Sequence, residues 1–591
     1  MIRFAWFCAW ALIASPLLAA PVPVNKAETI TDLPVPASSM IVVQVNGTQQ
    51  TRDKIVKLLE KAAPDLVDDL KKNFEKKISS MLNDRDITAI DKDGRILLAI
   101  SDITKIAETP TPLAVVLPVS DYKGFREKFL TGPERKSFKP GNDGIDTFED
   151  ETSGSTVYLV EKAGALTYTQ DKDVATAYAE KFDKLTIKQM GTLANPFLNS
   201  EVAVYLNLGN VNEKFGQEIQ QFRQLIPGLL QQGAAGIDKN QLEIARVVFE
   251  GVVQAVQDGR GLVLGISLQP EGARLRLDVE FTPESISGKL IAESKVSDLA
   301  GMKLLPKGKS SYKATSIGKG FMRAFVKLQR EFVAADGEDK SAEAIEKFLE
   351  ISQKNDADVS NVTDENGTDL FQTNFADSAK YSDALLKVVK TLTKGASFSN
   401  IVLKEKPVVK EADQKYGEFK LHLAKVVFDY DATVKNIEDE NLRQTTIESM
   451  KKLMPEKMNI WFGTDGKSFL RVFAKDWDSA KKLLDDATKK EASVATDKAF
   501  LVTRNQLPPE VSYLYLIDTG SAIDGLSTYL SSMAGSIPGL PGQLPKFEKP
   551  KGIAPAYIGM SVSNTKSTFR FDLFVPAEAV KIARKAAETD Q

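Results

Sequence analysis

The chain has 591 residues, of which 42% are apolar and 27% charged. This composition is typical of globular proteins, and the length exceeds what one core organises, so two or more lobes are expected. Its 77 basic and 80 acidic residues give a formal net charge of -3, which argues against a nucleic-acid partner. The chain has one histidine and one cysteine. This argues against Ser-His-Asp and Cys-His catalysis, and against zinc sites that need two such ligands.

The first 20 residues have the pattern of a secretory signal peptide. Arg3 supplies a positive charge, an apolar stretch covers Phe4–Leu18, and small residues precede Pro21. The single cysteine, Cys8, lies within this stretch, so the mature chain would contain no disulfide. A retained membrane anchor is the alternative, but the stretch is short and a proline interrupts it. The sequence therefore predicts cleavage after Ala20 and a secreted or periplasmic protein with no transmembrane segment.

The remaining chain is predicted to form two lobes. A Pro-rich lead-in covers 21–37, and the first lobe covers 38–335. A polar, largely helical linker with a disorder-prone stretch is expected over 336–395, because this segment is poor in apolar residues. The second lobe covers 396–591.

An internal repeat organises both lobes. The segment Gly259–Ser267 is echoed by Gly94–Ser101 and, more faintly, in the third unit. Each copy follows an apolar strand and a helical stretch, and precedes another strand and helix. The units cover about 38–131 and 198–293 in the first lobe and about 507–588 in the second.

The first unit shows the pattern most clearly. It begins with an apolar strand at Met40–Val45 and continues with a helical stretch over Thr51–Leu82, which Pro64 is expected to divide into two helices. One face of these helices is apolar at helical spacing. The residues of this stripe are Ile55, Leu58, Leu59, Leu66, Leu70, Phe74 and Ile78.

The predicted fold class is α+β. Repeated strand–helix–hairpin–helix units would form antiparallel sheets, with long helices packed on one face. The signal, the Pro-rich lead into Ser39–Val45 and the segment Ala114–Tyr122 give the chain a recognisable layout. This layout resembles large uncharacterised secreted proteins of planctomycete-type bacteria. The resemblance covers most of the chain and implies no known activity.

One polar feature occurs in two repeats. Arg276 and Asp278 align with Arg570 and Asp572, on strands that alternate between apolar and charged residues. Such alternation indicates a sheet with one face in water, where an ion pair contributes little. These four residues, the Arg–Asp row, either bind a partner or protect a sheet edge and keep it soluble. The second interpretation is favoured.

Other candidate residues have weaker patterns. Asp429 and Asp431 lie two apart on a predicted strand, like a glycosidase pair, but such pairs come from different strands. The segment 356–364 alternates oxygen side chains like the start of a calcium loop, but it lacks the turn glycine and the bidentate glutamate. His422, without a second ligand, is predicted to be a surface residue. Glycines such as Gly265 have no phosphate-loop context and instead favour close packing of helices on the sheet.

Three hypotheses for the function remain. The first is a non-enzymatic exported scaffold that binds another component of the cell envelope, either a protein or a polymer. The second is a carboxylate-based hydrolase of an exported polysaccharide, which would need an aromatic-lined cleft around Trp461 or Trp477. The third is a carrier of an apolar ligand between sheet and helices, which a large cavity would favour. No catalytic, cofactor-binding or metal-binding residue is predicted, and no cofactor is expected.

Overall fold

The computed structural model describes residues 30–107, 109–162, 164–232, 239–318, 339–354, 357–363, 369–373, 377–398, 401–435, 440–523 and 554–589, with the single residues 375, 437 and 525. The predicted signal peptide lies outside these residues. No helix in the described part of the chain is both long enough and apolar enough to cross a lipid bilayer.

The first eleven strands and ten helices lie between residues 30 and 292. The strands are β1 Asp32–Pro36, β2 Ile41–Val45, β3 Ile96–Ile100, β4 Leu113–Pro118, β5 Asp146–Glu149, β6 Thr156–Lys162, β7 Ala165–Thr169, β8 Lys184–Thr186, β9 Val202–Leu206, β10 Gly259–Gln269 and β11 Gly272–Phe281. The helices are α1 Thr48–Ala62, α2 Val67–Met81, α3 Tyr122–Phe129, α4 Gly132–Ser137, α5 Lys172–Ala179, α6 Ile187–Met190, α7 Ala194–Asn199, α8 Leu208–Gln232, α9 Lys239–Asp258 and α10 Ile286–Ala292.

The later elements follow from residue 311. The strands are β12 Ser311–Ile317, β13 Ala357–Thr363, β14 Asp369–Thr373, β15 Ser397–Phe398, β16 Ile401–Val402, β17 Val408–Tyr416, β18 Phe419–Val427, β19 Lys457–Thr464, β20 Phe469–Ala474, β21 Tyr513–Asp518, β22 Tyr557–Thr565 and β23 Thr568–Pro576. The helices are α11 Asp339–Gln353, α12 Ser378–Thr391, α13 Tyr430–Thr433, α14 Glu440–Leu453, α15 Trp477–Thr488, α16 Lys498–Arg504 and α17 Ala577–Thr589.

These elements form two compact units. The first combines the described residues of 30–222, 253–287 and 567–581, and the second combines those of 223–252, 288–566 and 582–589. In the first unit the antiparallel strand order is β5, β6, β7, β4, β3, β2, β9, β10, β11 and β23. In the second it is β17, β18, β19, β20, β14, β13, β12, β21 and β22. The predicted α+β class with antiparallel sheets is confirmed.

Both faces of the first sheet are covered, which corrects the prediction of helices on one face. On one face Val42, Ala99 and Ala203 pack with Phe197 of α7. On the other face the core contains Leu98, Val115 and Phe125, the last from α3. The strand sequences already carried this signal, because β3 and β4 are continuous apolar runs, as in strands buried on both sides.

The expected linker also differs from the structure. Its described residues contain α11, β13, β14 and α12, and both strands lie inside the second sheet, between β12 and β20. The strand β13 reads Ala-Asp-Val-Ser-Asn-Val-Thr, and Val359 and Val362 are its buried aliphatic side chains. So few apolar residues in a polar segment gave no clear strand pattern.

The helical stretch after β2 folds as its sequence predicts. Pro64 begins a single turn of tighter helix over Pro64–Leu66, which separates α1 from α2. Proline lacks an amide proton and is tolerated at the start of a helix, so the break falls at this residue. This break gives α1 and α2 different packing, and that difference produces the site described next.

Candidate functional site

A cavity of about 300 Å³ lies in the first unit, between the sheet and the two helices α1 and α2. This volume is at the lower end of the range for small-molecule sites, which is roughly 300–1,000 Å³. The floor is formed by the sheet residues Val45, Ile96, Val202, Ile266 and Leu268. The helices contribute Ile55, Leu70, Phe74 and Ile78, and the segment after α2 contributes Leu82, Ile87 and Ile90.

The cavity exists because α1 and α2 are held at different depths. Helix α1 buries Val56, Leu58 and Ala62, and the last two pack against Ala577 at the start of α17. The apolar stripe of α2 includes Leu70, Phe74 and Ile78, yet these side chains are only half-buried. The stripe therefore faces the cavity, where an apolar ligand would complete its burial.

The solvent side of the cavity carries two ion pairs. The Lys92 ammonium lies 2.6 Å from the Glu75 carboxylate, and both side chains are about 40% exposed. Lys77, also on the cavity wall, lies 2.5 Å from Asp69. Exposed pairs of this kind contribute little to stability, so their relevance lies in the charge balance around the cavity.

A third ion pair lies at the buried side. Glu201, immediately before β9, is 1% exposed and pairs with Lys54 of α1, and its second oxygen accepts the backbone N–H of Leu268. Burial raises the pKa of Glu201 above its ordinary value, although Lys54 acts in the opposite direction. The pair joins α1 to the sheet beneath it.

The amide of Asn46 is another polar group of the wall, and both its nitrogen and its oxygen hydrogen-bond to the protein. Its Nδ2 donates to the backbone oxygen of Ser200 at 2.8 Å, and its Oδ1 accepts from Arg95 at 3.2 Å and from Gln44 at 3.3 Å. Arg95 also donates to the backbone oxygen of Leu198. The arginine of the first Gly-Arg repeat thus ties β3 to the end of α7 and serves the architecture.

One buried polar atom on the cavity wall has no hydrogen-bond partner. The hydroxyl of Thr51, on α1, is buried and makes no hydrogen bond. Buried hydroxyls are normally paired, and an unpaired one carries a desolvation cost. Thr51 is four residues before Ile55, so both side chains lie on the same helix face and reach the same cavity.

A second, smaller cavity of about 190 Å³ lies in the second unit between α11 and α12. Its wall includes Lys347, Lys380, Asp383 and Lys387. Lys380 already pairs with Asp377 at 2.6 Å. The lysines are surface residues of two helices, so this cavity offers a weaker candidate than the apolar one.

The aspartates of the repeated Arg–Asp row are buried and the strand β11 is internal to the sheet, so the prediction of a wet, edge-protecting face is wrong. Strand β11 is not an edge, because β10 and β23 pair with it on either side, and the ladder places Arg276 opposite Asp572 and Asp278 opposite Arg570. Both aspartates are 1% exposed. Asp278 accepts from Arg276 at 2.5 and 3.0 Å and from Arg570 at 3.0 Å.

Asp572 differs sharply from its repeat counterpart. Neither of its oxygens accepts a hydrogen bond, and its contact with Arg274 is at 3.8 Å. Burial raises the pKa of Asp572, against the effect of the three nearby arginines. The two carboxylates converge, but neither of the two cavities above includes them. The row therefore joins strands and offers no substrate access there.

The other candidate residues from the sequence make contacts that stabilise the fold. Asp429 is not on a strand, because it caps α13 and accepts the N–H of Ala432 at 2.9 Å, so the predicted placement of Asp429 and Asp431 on one strand is wrong. His422 is half-buried rather than a surface residue, and its Nδ1 accepts the N–H of Ala412. Trp461 and Trp477 pack on each other at 5.5 Å, and Trp461 donates to Asp413.

The calcium-like segment is partly described. Residues 357–363 form β13, paired on both sides, whereas 356 and 364 lie outside the described residues. Across the described chain, no group of three or more His, Cys, Asp and Glu residues could hold a metal ion. The tryptophans line neither of these two cavities, so neither cavity is the aromatic cleft that the hydrolase hypothesis needs.

The repeated glycines pack helices onto strands, as the sequence indicated. A Cβ on Gly265 would lie 2.2 Å from the hydroxyl of Ser200, and one on Gly559, its counterpart, would lie 2.4 Å from a methyl of Thr503. Such distances are shorter than any van der Waals contact. Glycine is therefore required at both positions for close approach.

No protein-family model, no curated protein and no solved structure matches this chain. The cavity itself is therefore the feature that indicates a function. Sequence reasoning found its apolar stripe but missed Thr51, Glu75, Lys92 and Glu201. Glu201 carried the only usable signal, because it is a charged residue directly before the wholly apolar strand β9.

Proposed function

We propose that this chain is an exported protein that binds an apolar ligand in the cavity between α1, α2 and the first sheet. The observation that carries this proposal is the half-buried stripe of α2 above an apolar floor. Apolar side chains that border an accessible cavity are incompletely packed, and a ligand would pack against them and remove their surface from water.

The two sheets share one strand order, as expected of repeated units that form extended binding surfaces. Counted outwards from β2, the sheet order is β3, β4, β7, β6 on one side and β9, β10, β11 on the other. The corresponding order from β12 is β13, β14, β20, β19 and β21, β22. We attribute this to repeated strand–helix–hairpin units, with a unit at β12–β14 in addition to the three predicted from the sequence.

The cavity can be tested with a hydrocarbon reporter. Diphenylhexatriene fluoresces in apolar surroundings, and the purified mature chain should bind it with one site. Leu70→Trp fills the cavity and should weaken binding at least about tenfold, which corresponds to about 1.4 kcal/mol. Leu66→Trp is the matched control, because Leu66 is 46% exposed and does not line the cavity. Equal binding by both variants would contradict the proposal.

Export is tested separately. Expression with the native N-terminus in a bacterial host should yield a processed protein that begins at Pro21, as N-terminal sequencing would determine. A protein that retains its first 20 residues and remains in the cytoplasm would contradict the export proposal. This outcome would leave the cavity measurement unaffected.

A second candidate is the exported scaffold that binds an envelope component. Leu225, Phe249 and Val252 of α8 and α9 are 60%, 48% and 57% exposed, and exposed apolar side chains mark interaction surfaces when they cluster. A photo-crosslinking residue at position 249 should then capture one defined envelope partner. The same residue at Glu218, an exposed polar position on α8, is the control.

A further inference from the structure

We infer that the cavity selects an uncharged amphiphile, an aliphatic or terpenoid chain that carries a single hydroxyl or carbonyl oxygen. This inference rests on the proposed function, because it names the class of ligand that the same cavity accepts. It is carried by two independent features of the wall: the pairing of its charged residues and the buried hydroxyl of Thr51, which has no hydrogen-bond partner.

The charged residues on the wall already have counterions. Glu75 pairs with Lys92 at 2.6 Å, Lys77 with Asp69 at 2.5 Å, and Glu201 with Lys54. These pairs involve all four charged residues that line the cavity. A carboxylate or ammonium headgroup would have to displace one of these partners or remain uncompensated in an apolar space. Both alternatives oppose binding of a charged ligand.

The polar atoms of the wall indicate where an oxygen would bind. Asn46 and Glu201 already hydrogen-bond to the protein. The hydroxyl of Thr51 is buried and makes no hydrogen bond, so it can donate to a ligand oxygen or accept from a ligand hydroxyl. A neutral ligand oxygen therefore matches this buried, unpaired hydroxyl.

The position of Thr51 also orients the chain of the ligand. Thr51 and Ile55 lie one turn apart on the same face of α1, and Ile55 continues into the apolar part of the cavity. A headgroup on Thr51 would direct the hydrocarbon toward Phe74 of α2 and Ile266 on the floor. The apolar lining then buries the chain and leaves the ion pairs undisturbed.

The experiment compares three ligands of equal chain length by displacement of bound diphenylhexatriene. Dodecanol, dodecanoate and dodecylamine are titrated at about pH 8, where the carboxylate is ionised and the amine protonated. Dodecanol should displace the reporter at a concentration at least about tenfold lower than either charged ligand. If dodecanoate or dodecylamine displaces it as well as dodecanol does, the inference is wrong.

Two variants test the individual features. Thr51→Val retains the shape but removes the hydroxyl, and should weaken dodecanol about five- to tenfold with no change in reporter affinity. Glu75→Gln leaves Lys92 without its counterion, and should improve dodecanoate binding selectively with dodecanol unchanged. A T51V protein with unaltered dodecanol affinity, or an E75Q protein with unaltered dodecanoate affinity, would contradict the corresponding feature.

The reporter distinguishes failure of the proposed function from failure of the inference about the ligand class. If the hydrocarbon does not bind, or binds equally to Leu70→Trp, the proposed function fails. If it binds and is lost in that variant, while a charged ligand competes best, only the present inference fails.

Discussion

Asp278 and Asp572, which the predicted repeat aligns, should differ strongly in their response to the same substitution. Asp278 accepts three hydrogen bonds from two arginines, whereas Asp572 accepts none, although both are 1% exposed. Asp278→Asn should therefore destabilise the first unit strongly. Asp572→Asn should change stability little, because no hydrogen bond is lost and a buried charge is removed.

The expected loss of stability follows from the two arginines that pair with Asp278. Loss of one member of a buried ion pair costs about 3–5 kcal/mol, because the remaining charge is uncompensated. The side chains of Arg276 and Arg570 are 19% and 31% exposed, so water recovers part of this cost. We expect Asp278→Asn to destabilise the first unit by about 2–4 kcal/mol, and Asp572→Asn to change its stability by no more than about 1 kcal/mol.

Hydrogen exchange of the backbone amides in β11 and β23 is the appropriate assay. A chain with two units does not unfold in one step, so a global free energy would be ambiguous, whereas exchange reports local opening. Asp278→Asn should speed exchange in both strands, with β17 and β18 of the second unit as the internal reference. Equal effects of the two substitutions would refute the asymmetry.

Asp572 also predicts a pH dependence. Burial raises its pKa, so the native state holds this proton more tightly than the unfolded chain does. The stability that this group contributes is present below its unfolded pKa of about 3.9 and is lost as the pH rises through the native value. Asp572→Asn should remove this loss, measured as exchange rates compared at several pH values above that point.

Three further predictions concern other positions. Glu134 is fully buried and accepts two hydrogen bonds of 2.6 Å from Arg85, so E134Q should cost about 3–5 kcal/mol, measured by hydrogen exchange in the first unit. Gly265→Ala places a methyl 2.2 Å from a buried hydroxyl and should reduce stability by about 1–3 kcal/mol. Gly216→Ala, in open space on α8, should instead increase stability by about 0.5 kcal/mol. Burial lowers the pKa of His422, so stability should fall as the pH decreases below about 6.5, and H422Q should abolish this dependence.

Local signals in the sequence predicted much of the fold. Pro64 placed the break between α1 and α2, and Gly265 and Gly559 predicted close contacts between helices and strands. These features depend on one residue and its immediate geometry. The polar strands β13 and β14 were missed because their position depends on pairing with β12 and β20, which lie far apart in the sequence.

The cavity was only half predictable for the same reason. The stripe Leu70, Phe74 and Ile78 identified an apolar face on α2, but periodicity alone does not distinguish a face packed on a sheet from one that borders a cavity. That difference depends on how far α1 holds α2 from the strands. The hydroxyl of Thr51 becomes informative only once its surroundings are known to contain no partner.

The Arg–Asp row explains why one polar pattern occurs twice. In the ladder of β11 and β23, Leu277 lies opposite Phe571, and the repeat alignment makes these two residues counterparts. The register is therefore symmetric about this pair, so Arg276 meets Asp572 and Asp278 meets Arg570. A strand that reads Arg-x-Asp is complementary to an antiparallel copy of itself, as in an isologous interface. The alternation that indicates a wet face in a lone strand thus also suits a row buried against its own repeat, and only the strand order separates the two cases.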